Sequence, residues 1–487
     1  MPTLADITEE IRLATAALGE FGAGLINPTV RLGVTGLSGA GKTVFITALV
    51  HQLLHGGRLP VFEALTSGRI ARARLEPQPD DAVPRFDYEA HLHALTVERR
   101  WPESTNRISE LRLVIDYQSA RRRARDRTLT LDIVDYPGEW LLDLPLLTTR
   151  YAQWSADTLR LSRSGPRAML AAPWHRHLAT LDAAAPENEQ AAREAARLFT
   201  GYLKACRDDR FAMRLLPPGR FLMPGDLSGS PALTFAPLEV SGDEAPAGSL
   251  WAMMERRYEA YKDVLVRPFY REHFARLDRQ IVLVDALAAF NAGPDAVRDL
   301  EAALAAILAS FRTGRATLLS TLFRPRVDRI LFAATKADHL HHANHDRLER
   351  FLARITERAI GEAKFSGAAV DVIALAAVRA TREATVTRGR DSLSAIIGMP
   401  LKGEAVGREA FDGVTEVASF PGDLPEDPAA LLARDGFRGL TAQASDTDFR
   451  FLRFRPPATE PGASGAPTLP HIRLDRALQF LIGDRLA

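Results

Sequence analysis

Near its start the chain reads Gly36-Leu37-Ser38-Gly39-Ala40-Gly41-Lys42-Thr43, which fits the pattern G-x-x-x-x-G-K-[ST]. The preceding run, Val30 to Thr35, alternates as a buried strand does, and the following run, Val44 to Val50, is typical of a helix. Glycines let such a loop wrap around a polyphosphate with its amides pointing inward, and the helix N-terminus adds partial positive charge. The motif in this context predicts a phosphate-binding loop; a strand-to-helix turn without a ligand is the weaker alternative.

This loop, the P-loop, supplies the first candidate site residues. Lys42 is expected to reach the β and γ phosphates and to act in catalysis as a mobile positive charge. The Thr43 hydroxyl is expected to complete a Mg²⁺ shell. The candidate phosphate ligands are therefore Gly36, Ser38, Gly39, Ala40, Gly41, Lys42, Thr43 and Val44.

Composition restricts the class of protein. A chain of 487 residues predicts two to four domains. Its 62 Lys and Arg residues nearly balance 61 Asp and Glu residues, so no overall charge selects nucleic acid or an acidic membrane. The single cysteine, Cys206, excludes an internal disulfide framework and suits a reducing compartment. No apolar run reaches the length of a bilayer span. We therefore expect a cytoplasmic protein that does not bind nucleic acid.

Two segments, one at the N-terminus and one basic, are relevant to what the protein could bind besides nucleotide. Met1 to Glu20 is acidic and amphipathic, which predicts a helix that packs on the protein and argues against a signal peptide; a peripheral membrane helix is the alternative. The basic run Arg121 to Arg127 lacks interleaved aromatic residues, so a solvated hairpin tip is preferred over a nucleic-acid site. An anionic lipid or an acidic partner is the functional alternative for that run. The candidate partners besides nucleotide are an effector or a membrane-associated protein.

A second motif follows the strand predicted for Thr128 to Val134, where the chain reads Asp135-Tyr136-Pro137-Gly138 and fits D-x-x-G. An acidic residue at such a strand end holds Mg²⁺, usually through water, and the amide of the motif's Gly138 contacts the γ phosphate. Asp135 is therefore a candidate metal ligand. The pattern is weak alone and becomes specific when it follows a P-loop.

A loop at Trp101 to Arg107, here called switch I, precedes the strand predicted for Ile108 to Tyr117. In a G protein the loop at this position carries a Thr that closes the Mg²⁺ shell when the γ phosphate is present. Thr105 is therefore a candidate ligand of the metal and the nucleotide, with Ser104 as its substitute. Ordinary turn chemistry is an equal alternative for both residues.

A third motif, Thr335-Lys336-Ala337-Asp338, follows the strand predicted for Arg329 to Ala334 and fits [NT]-K-x-D. An Asp at this position accepts hydrogen bonds from guanine N1–H and the exocyclic amine, while the Lys stem lies along the base. Adenine lacks both donors. A later loop, at Ala377 and Val378, has small residues whose backbone amides would approach guanine O6. These residues predict a guanine-binding site.

The fold class that follows is α/β, a P-loop nucleotide domain whose mixed, mostly parallel sheet is flanked by helices. The four histidines just after the third motif are expected to face solvent at a helix start and not to bind metal. The predicted divisions are 1–150 (N-terminal helix, P-loop, switch I and D-x-x-G), 151–278 (α-helical insertion), 279–384 (second part of the nucleotide domain), 385–470 (β-containing appendage and linker) and 471–487 (C-terminal helix packing on the nucleotide domain).

These motifs, together with Asp135 to Leu144, Val378 to Thr381 and His471 to Asp475, resemble the YcjX-like family of bacterial P-loop proteins over nearly the whole chain. The resemblance implies a Ras-like G domain with a helical insertion that binds GTP and GDP. It also implies a cytoplasmic, stress-associated protein, with a peripheral position at the inner membrane as an alternative. It further implies that switch I contacts nucleotide, which adds Trp101 to the candidate ligands and favours Ser104 and Thr105.

One departure from ordinary G proteins bears on catalysis. Glu139 stands where many small GTPases place a water-orienting Gln, and a carboxylate is repelled by the γ phosphate, so intrinsic hydrolysis is expected to be slow. Arg100, with Arg99 or Arg107 as substitutes, is the candidate arginine supplied in cis that would stabilise the developing charge. Capping or solvation of the preceding helix is the alternative role of Arg99 and Arg100.

Two classes of function stay open at this point. The first is a GTP-hydrolysing switch that responds to loss of the γ phosphate. The second is an ATP-driven motor or assembly ATPase, or a scaffold that nucleotide stabilises. Competition between GTP, ATP and their diphosphates would separate them.

Overall fold

The computed structural model describes residues 28–103, 107–120, 126–227, 229–242, 244–309, 327–365, 367–388, 391–406, 409–432, 451–462 and 464–487. The predicted N-terminal helix, residues 121–125 of the basic run, and both Ser104 and Thr105 lie outside these ranges. None of the helices in the described part of the chain has the length and apolar character that crossing a bilayer requires.

One seven-stranded sheet forms the centre of the fold. In chain order its strands are β1 (Thr29–Gly36), β2 (Ile70–Glu76), β3 (Ser109–Gln118), β4 (Asp126–Asp135), β5 (Arg279–Val284), β6 (Arg329–Ala334) and β7 (Ala369–Ala374). They lie side by side in the order β2-β3-β4-β1-β5-β6-β7. The five strands from β4 to β7 in this order are parallel, and β3 is antiparallel to both of its neighbours. The predicted mixed, mostly parallel sheet is confirmed.

The pairing register brings the strand ends to one edge. Gly36 lies beside Leu283, and Val284 lies beside Ala334, which in turn lies beside Ala374. The loops that follow β1, β5, β6 and β7 therefore leave the sheet next to one another. Ligands of open α/β sheets bind at this carboxyl edge.

Helices cover the sheet and form the insertion. They are α1 (Lys42–His55), α2 (Glu63–Thr66), α3 (Tyr88–Thr96), α4 (Tyr151–Ser162), α5 (Gly165–Leu178), α6 (Glu189–Arg207), α7 (Leu250–Tyr261), α8 (Arg267–Glu272), α9 (Ala286–Ala292), α10 (Pro294–Ala309), α11 (His345–Phe365), α12 (Ala429–Leu432) and α13 (Leu474–Ile482). A π-helical turn, Lys262–Val266, joins α7 to α8. Short 3₁₀ segments lie at Gly138–Thr148, Gly219–Phe221, Gly225–Leu227, Pro231–Leu233, Phe274–Arg276, Ala337–His339, His342–Asn344 and Gly483–Leu486.

Successive strand residues point to opposite faces of the sheet, so each face has its own apolar cluster. On one face, Ile281 of β5 and Leu331 of β6 pack in the cluster that contains α1 and α13. On the other face, Val282 and Phe332 belong to the cluster that contains α10, α11 and the insertion. Burial on both faces explains why these parallel strands are nearly continuous runs of apolar residues.

The insertion is helical from α4 to α8 and is packed on the sheet. Its buried side chains belong to the same apolar cluster as α10 and β5. Within it the Trp154 ring stacks on Tyr258 with centroids 5.2 Å apart, and Phe235 meets Trp154 edge-on at 5.4 Å. This shared cluster holds the insertion against the nucleotide half of the molecule.

The residues before α13 contain small antiparallel sheets. Their strands are β8 (Arg382–Arg388), β9 (Asp391–Gly398), β10 (Ala405–Val406), β11 (Glu409–Ala410) and β12 (Val417–Ser419). A three-stranded sheet has the order β12-β9-β8, and β10 pairs with β11. We refer to this region, residues 382–462 as far as described, as the appendage.

Candidate functional site

A cleft of about 1390 Å³ opens at the carboxyl edge of the sheet. Small-molecule sites commonly have about 300 to 1,000 Å³, so this cleft is large enough for a nucleotide. The loops that follow β1, β5, β6 and β7 form its base. Its walls come from the insertion near the end of α6 and from the appendage, which contributes Leu401, Glu404, Phe451, Arg453 and Phe454.

The P-loop has the predicted strand–loop–helix form. Gly39 and Gly41 have φ angles of 80° and 85°, a conformation that residues with a side chain rarely adopt. Lys42 begins α1, is buried, and donates from Nζ to the Gly36 carbonyl oxygen at 2.9 Å. Residues 38 to 44 all line the cleft, and Gly36 lies below them at the end of β1. The loop's amides and its lysine therefore meet in one place.

The D-x-x-G motif lies against the P-loop. Asp135 ends β4, is buried, and is in register one residue beyond the pair formed by Gly33 and Val134. A Cβ on Gly138 would lie 2.4 Å from the Gly36 carbonyl oxygen, closer than real Cβ atoms approach. A glycine is therefore required here by contact with β1.

Glu139 reaches the P-loop directly. Its Oε1 accepts a hydrogen bond from the Ser38 amide at 2.9 Å. Its Oε2 is buried and has no hydrogen-bond partner among the described residues. The carboxyl group thus accepts a hydrogen bond from a P-loop amide of the kind that binds phosphate in such loops.

The segment after Glu139, residues 139–144, is here called switch II, and the insertion holds it. Asp143 accepts hydrogen bonds from the Gly219 amide at 2.7 Å and from the Tyr261 hydroxyl at 2.6 Å. The Arg220 guanidinium lies 3.4 Å from the centre of the Trp140 ring. Burial raises the pKa of the Asp143 carboxyl to about 6, against the effect of these donors. The contact between switch II and the insertion is therefore buried and contains a titratable group.

Switch I is attached to the appendage. Trp101 lines the cleft and donates from Nε1 to the Phe454 carbonyl oxygen at 2.6 Å. The Thr43 hydroxyl lies 3.4 Å from the Glu103 carbonyl oxygen, to which it donates. This contact brings the chain just before Ser104 and Thr105 next to the P-loop. Those two residues themselves lie outside the described part of the chain.

The T-K-x-D motif lies on the far side of the cleft with Ala377 and Val378. Lys336 has a φ of 60°, and its Nζ lies 2.5 Å from a carboxylate oxygen of Asp285, the residue after β5. Asp338 is buried, and its Oδ2 accepts a hydrogen bond from the Ala380 amide at 2.8 Å. This bond fixes the orientation of the carboxylate at the base-binding end.

Two of the three motifs therefore line one cleft, and the third, D-x-x-G, packs against the P-loop, in a sheet of Ras-like order. Sequence comparison agrees. A model of the YcjX-like family matches residues 30–486. This chain belongs to the YcjX-like family. The Ras-like GTPase YcjX of Escherichia coli (strain K12) is 38% identical over 472 residues, which cover 94% of this chain and 96% of that one. The Ras-like GTPase YcjX of Shewanella oneidensis (strain MR-1) is 37% identical over 485 residues, which cover 94% of each chain.

In this YcjX-like protein, Asp285 is an acidic residue to which the sequence analysis assigned no role. Burial would raise the pKa of its carboxyl, but the charge and hydrogen bond of Lys336 outweigh burial and lower that pKa, with smaller contributions from the Ala288 amide and Arg214. Its signal in the sequence was an acidic residue directly after an apolar strand. Asp285 fixes Lys336, which is the residue expected to lie along the base.

The arginine predicted to act in cis lies elsewhere. Arg100 is exposed, pairs with Glu98 at 2.8 Å, and does not line the cleft. Arg99 donates to the Pro456 carbonyl oxygen, and Arg107 is exposed. The structure of this YcjX-like protein therefore does not bring these arginines to the P-loop.

The histidines after the T-K-x-D motif do not all face solvent, and that expectation is wrong for two of them. His339 is buried with its ring 5.3 Å from Phe454, and His345 is buried with Nε2 2.9 Å from the Ala337 carbonyl oxygen. His341 and His342 are more accessible and lie near Glu383. His342 is already hydrogen-bonded to that carboxylate at 2.8 Å.

Proposed function

We propose that this protein binds GTP and GDP with Mg²⁺ in the cleft and hydrolyses GTP slowly as a conformational switch. The observation that carries this proposal is that Asp338 and Lys42 line the same cleft, Lys42 after β1 and Asp338 after β6. Lys42 belongs to a loop suited to phosphates, and Asp338 is an oriented carboxylate suited to guanine. The two Ras-like GTPases above support the same function.

Base selection follows from hydrogen-bond chemistry. The Asp338 carboxylate only accepts, and the Ala380 amide holds one of its oxygens at 2.8 Å. Guanine presents two donors, N1–H and its exocyclic amine, to a carboxylate in this position. Adenine presents neither, so ATP would leave a buried carboxylate without its partners, which is costly.

The residues near the P-loop also fit Mg²⁺. The described candidates are the Thr43 hydroxyl and the Asp135 carboxylate, both buried oxygen donors at the ends of neighbouring elements. Mg²⁺ prefers oxygen ligands and keeps several waters, so few protein ligands are needed. Thr105 or Ser104 would add a ligand from switch I. When bound, the ion would neutralise part of the negative charge on the nucleotide's phosphates.

Switching follows from the position of Glu139. Its carboxyl group uses the Ser38 amide, and a γ phosphate bound in the P-loop would compete for that amide. We infer that GTP moves Glu139 away from the P-loop. Switch II continues from Glu139 to Asp143, which is bonded to Gly219 and Tyr261 of the insertion, so the movement would reach the insertion. A carboxylate in place of a water-orienting amide also predicts slow hydrolysis.

Competition binding tests this function. Fluorescent GDP bound to the protein should be displaced by GTP at least about a hundredfold more readily than by ATP. Asp338→Asn should lose this preference and gain affinity for xanthosine nucleotides, because the amide can donate where the carboxylate could not. Asp346→Asn, an exposed position on α11, is the control. Equal displacement by ATP and GTP in the unmodified protein would favour an ATP-driven motor or a nucleotide-stabilised scaffold.

A further inference from the structure

The insertion contributes basic side chains to the nucleotide cleft. Those that line it are Lys204, Arg207, Arg210 and Arg214. Arg207 donates toward the Met223 sulfur at 3.8 Å, and Arg210 is exposed with its guanidinium 5.5 Å from the centre of the Phe211 ring. Arg214 differs from the other three in being buried.

Arg214 is 9% exposed and lines the cleft. Within the described ranges its guanidinium makes no hydrogen bond and no ion pair closer than 4.0 Å. A buried charge without a partner is costly, and buried arginines are normally paired. The cleft therefore contains an oriented cation whose anionic partner is not a side chain of the described protein.

The backbone of Arg214 is held in place from two directions. Asp299 of α10 accepts hydrogen bonds from the amides of Arg214 and Leu215. Arg167 of α5 forms a buried ion pair with Asp299 and donates to the Leu215 carbonyl oxygen at 2.9 Å. These buried polar contacts join the insertion to a helix that packs on the sheet. Such a fixed backbone orients a side chain before any ligand binds.

The charges around Arg214 leave it available to a ligand. Arg214 makes a small contribution to lowering the pKa of Asp285, a carboxylate that is already paired with Lys336 at 2.5 Å. Asp285 directly follows β5, and Leu283 of β5 is level with Gly36, where the P-loop begins. Arg214 lines the same cleft as the P-loop, and phosphate oxygens are the anions that a P-loop binds there.

We propose that Arg214 is a phosphate-binding arginine, supplied in cis by the insertion, that contacts the γ phosphate of bound GTP and stabilises its charge during hydrolysis. This rests on the proposed function. In that reaction the water oxygen bonds to the γ phosphorus, and the bond from that phosphorus to the β–γ bridging oxygen breaks with its electron pair staying on GDP. Inorganic phosphate and one proton are released. An arginine in cis lowers the energy of the charge spread over the transferring group.

Three variants of the full-length protein test this assignment: Arg214→Ala, Arg214→Lys and, as control, Arg197→Ala, an exposed arginine of α6 paired with Glu194. Single-turnover GTP hydrolysis should fall about a hundredfold or more in Arg214→Ala, while GDP affinity changes little. Arg214→Lys should remain at least about tenfold slow, because an ammonium lacks the guanidinium fork. Free guanidinium, at a concentration that does not unfold the protein, should restore part of the rate of Arg214→Ala. The control should match the unmodified protein.

The results separate this assignment from the function on which it rests. An unmodified protein that does not bind GTP would overturn the proposed function and this assignment together. Turnover at the unmodified rate in both Arg214 variants would overturn the assignment alone. So would a slow Arg214→Ala that guanidinium does not rescue and whose melting temperature without nucleotide has dropped, since that marks a purely structural role. If Arg214→Ala does not fold, Arg214→Lys decides, with an unmodified rate counting against the assignment.

Discussion

Switch I and switch II lie on two sides of the same P-loop, yet they are attached to different parts of the molecule in different ways. In the described part of switch I, the indole N–H of Trp101 donates to the carbonyl oxygen of Phe454 in the appendage. Switch II meets the insertion through Asp143, whose carboxyl group accepts from Gly219 and Tyr261. Trp101 is only partly buried, whereas Asp143 and Tyr261 are buried completely or nearly so.

This difference indicates which of the two loops costs more free energy to detach from its neighbour. A hydrogen bond between a partly exposed N–H and a carbonyl contributes about 1 kcal/mol, because water replaces it easily. A buried carboxyl group that loses a partner costs more, since it cannot be resolvated. Switch II is therefore the loop whose movement should be transmitted, and switch I the loop that closes over the nucleotide at small cost.

The largest effect is expected from a variant that weakens binding of the nucleotide, the ligand to which both switch loops respond. Lys42→Ala should weaken binding of GDP and GTP by about a hundredfold or more, because the charge that reaches the phosphates is lost. Titration of fluorescent GDP measures this, with circular dichroism to confirm the fold. Lys364→Ala, an exposed lysine of α11, is the control. Undiminished GDP affinity in folded Lys42→Ala would contradict the P-loop assignment.

The sheet and the base of the cleft could be predicted because their signals are local. The P-loop, D-x-x-G and T-K-x-D motifs each occupy a few consecutive residues after an apolar strand, and parallel strands place such loops at one edge. The walls could not be predicted in this way. Trp101 and Phe454 are 353 residues apart in the chain, and no periodicity connects them.

Arg214 and Arg100 show the same limit of sequence-based prediction, because the sequence pointed to Arg100 and gave no sign of Arg214. Arg100 was a reasonable candidate because it lies a few residues before switch I, but its neighbour Glu98 pairs with it at the surface. Arg214 lies in a stretch without a motif, and its position depends on Asp299, 85 residues further along the chain. Which arginine reaches a site is set by such tertiary contacts, and a single sequence does not reveal them.

The next effect tests whether the switch II link titrates. The pKa of Asp143 is about 6 in the folded protein and 3.8 in its ordinary state. Because the folded-state pKa is raised, the stabilising protonated form is fully present below about pH 4, and its contribution is lost as pH rises through about 6. The loss is at most about 3 kcal/mol, since each pKa unit corresponds to about 1.4 kcal/mol.

Urea unfolding of the unmodified protein and of Asp143→Asn at pH 5 and pH 7.5 measures this. The stability advantage of the unmodified protein over the Asn variant should shrink at the higher pH, because the amide does not titrate. Asp263→Asn, an exposed carboxylate of the insertion, should show no such change. If the difference in stability is the same at both pH values, the contact through Asp143 does not titrate and behaves like the uncharged hydrogen bond of switch I.

A smaller effect tests the contact between D-x-x-G and the P-loop. Gly138→Ala places a Cβ 2.4 Å from the Gly36 carbonyl oxygen, so the backbone must shift, at a cost of about 2 kcal/mol. Gly201→Ala is the matched control, because a Cβ there meets nothing within 4 Å and lies in α6, where Ala is favoured over Gly. Urea unfolding should show destabilisation in the first variant and none in the second. Equal stability of both would mean that switch II does not depend on this contact.

The smallest effect is expected at switch I. Trp101→Phe keeps an aromatic ring in the cleft wall but removes the Nε1–H that donates to the Phe454 carbonyl oxygen at 2.6 Å. Losing one partly exposed hydrogen bond costs about 1 kcal/mol, so GTP affinity should fall about fivefold and GDP affinity no more than that. Fluorescent nucleotide titration measures both, and Trp251→Phe, a buried tryptophan of α7 outside the cleft, controls for loss of an indole. A fall in GTP affinity of about a hundredfold would reverse the comparison, because the appendage would then hold the nucleotide as firmly as the insertion holds switch II.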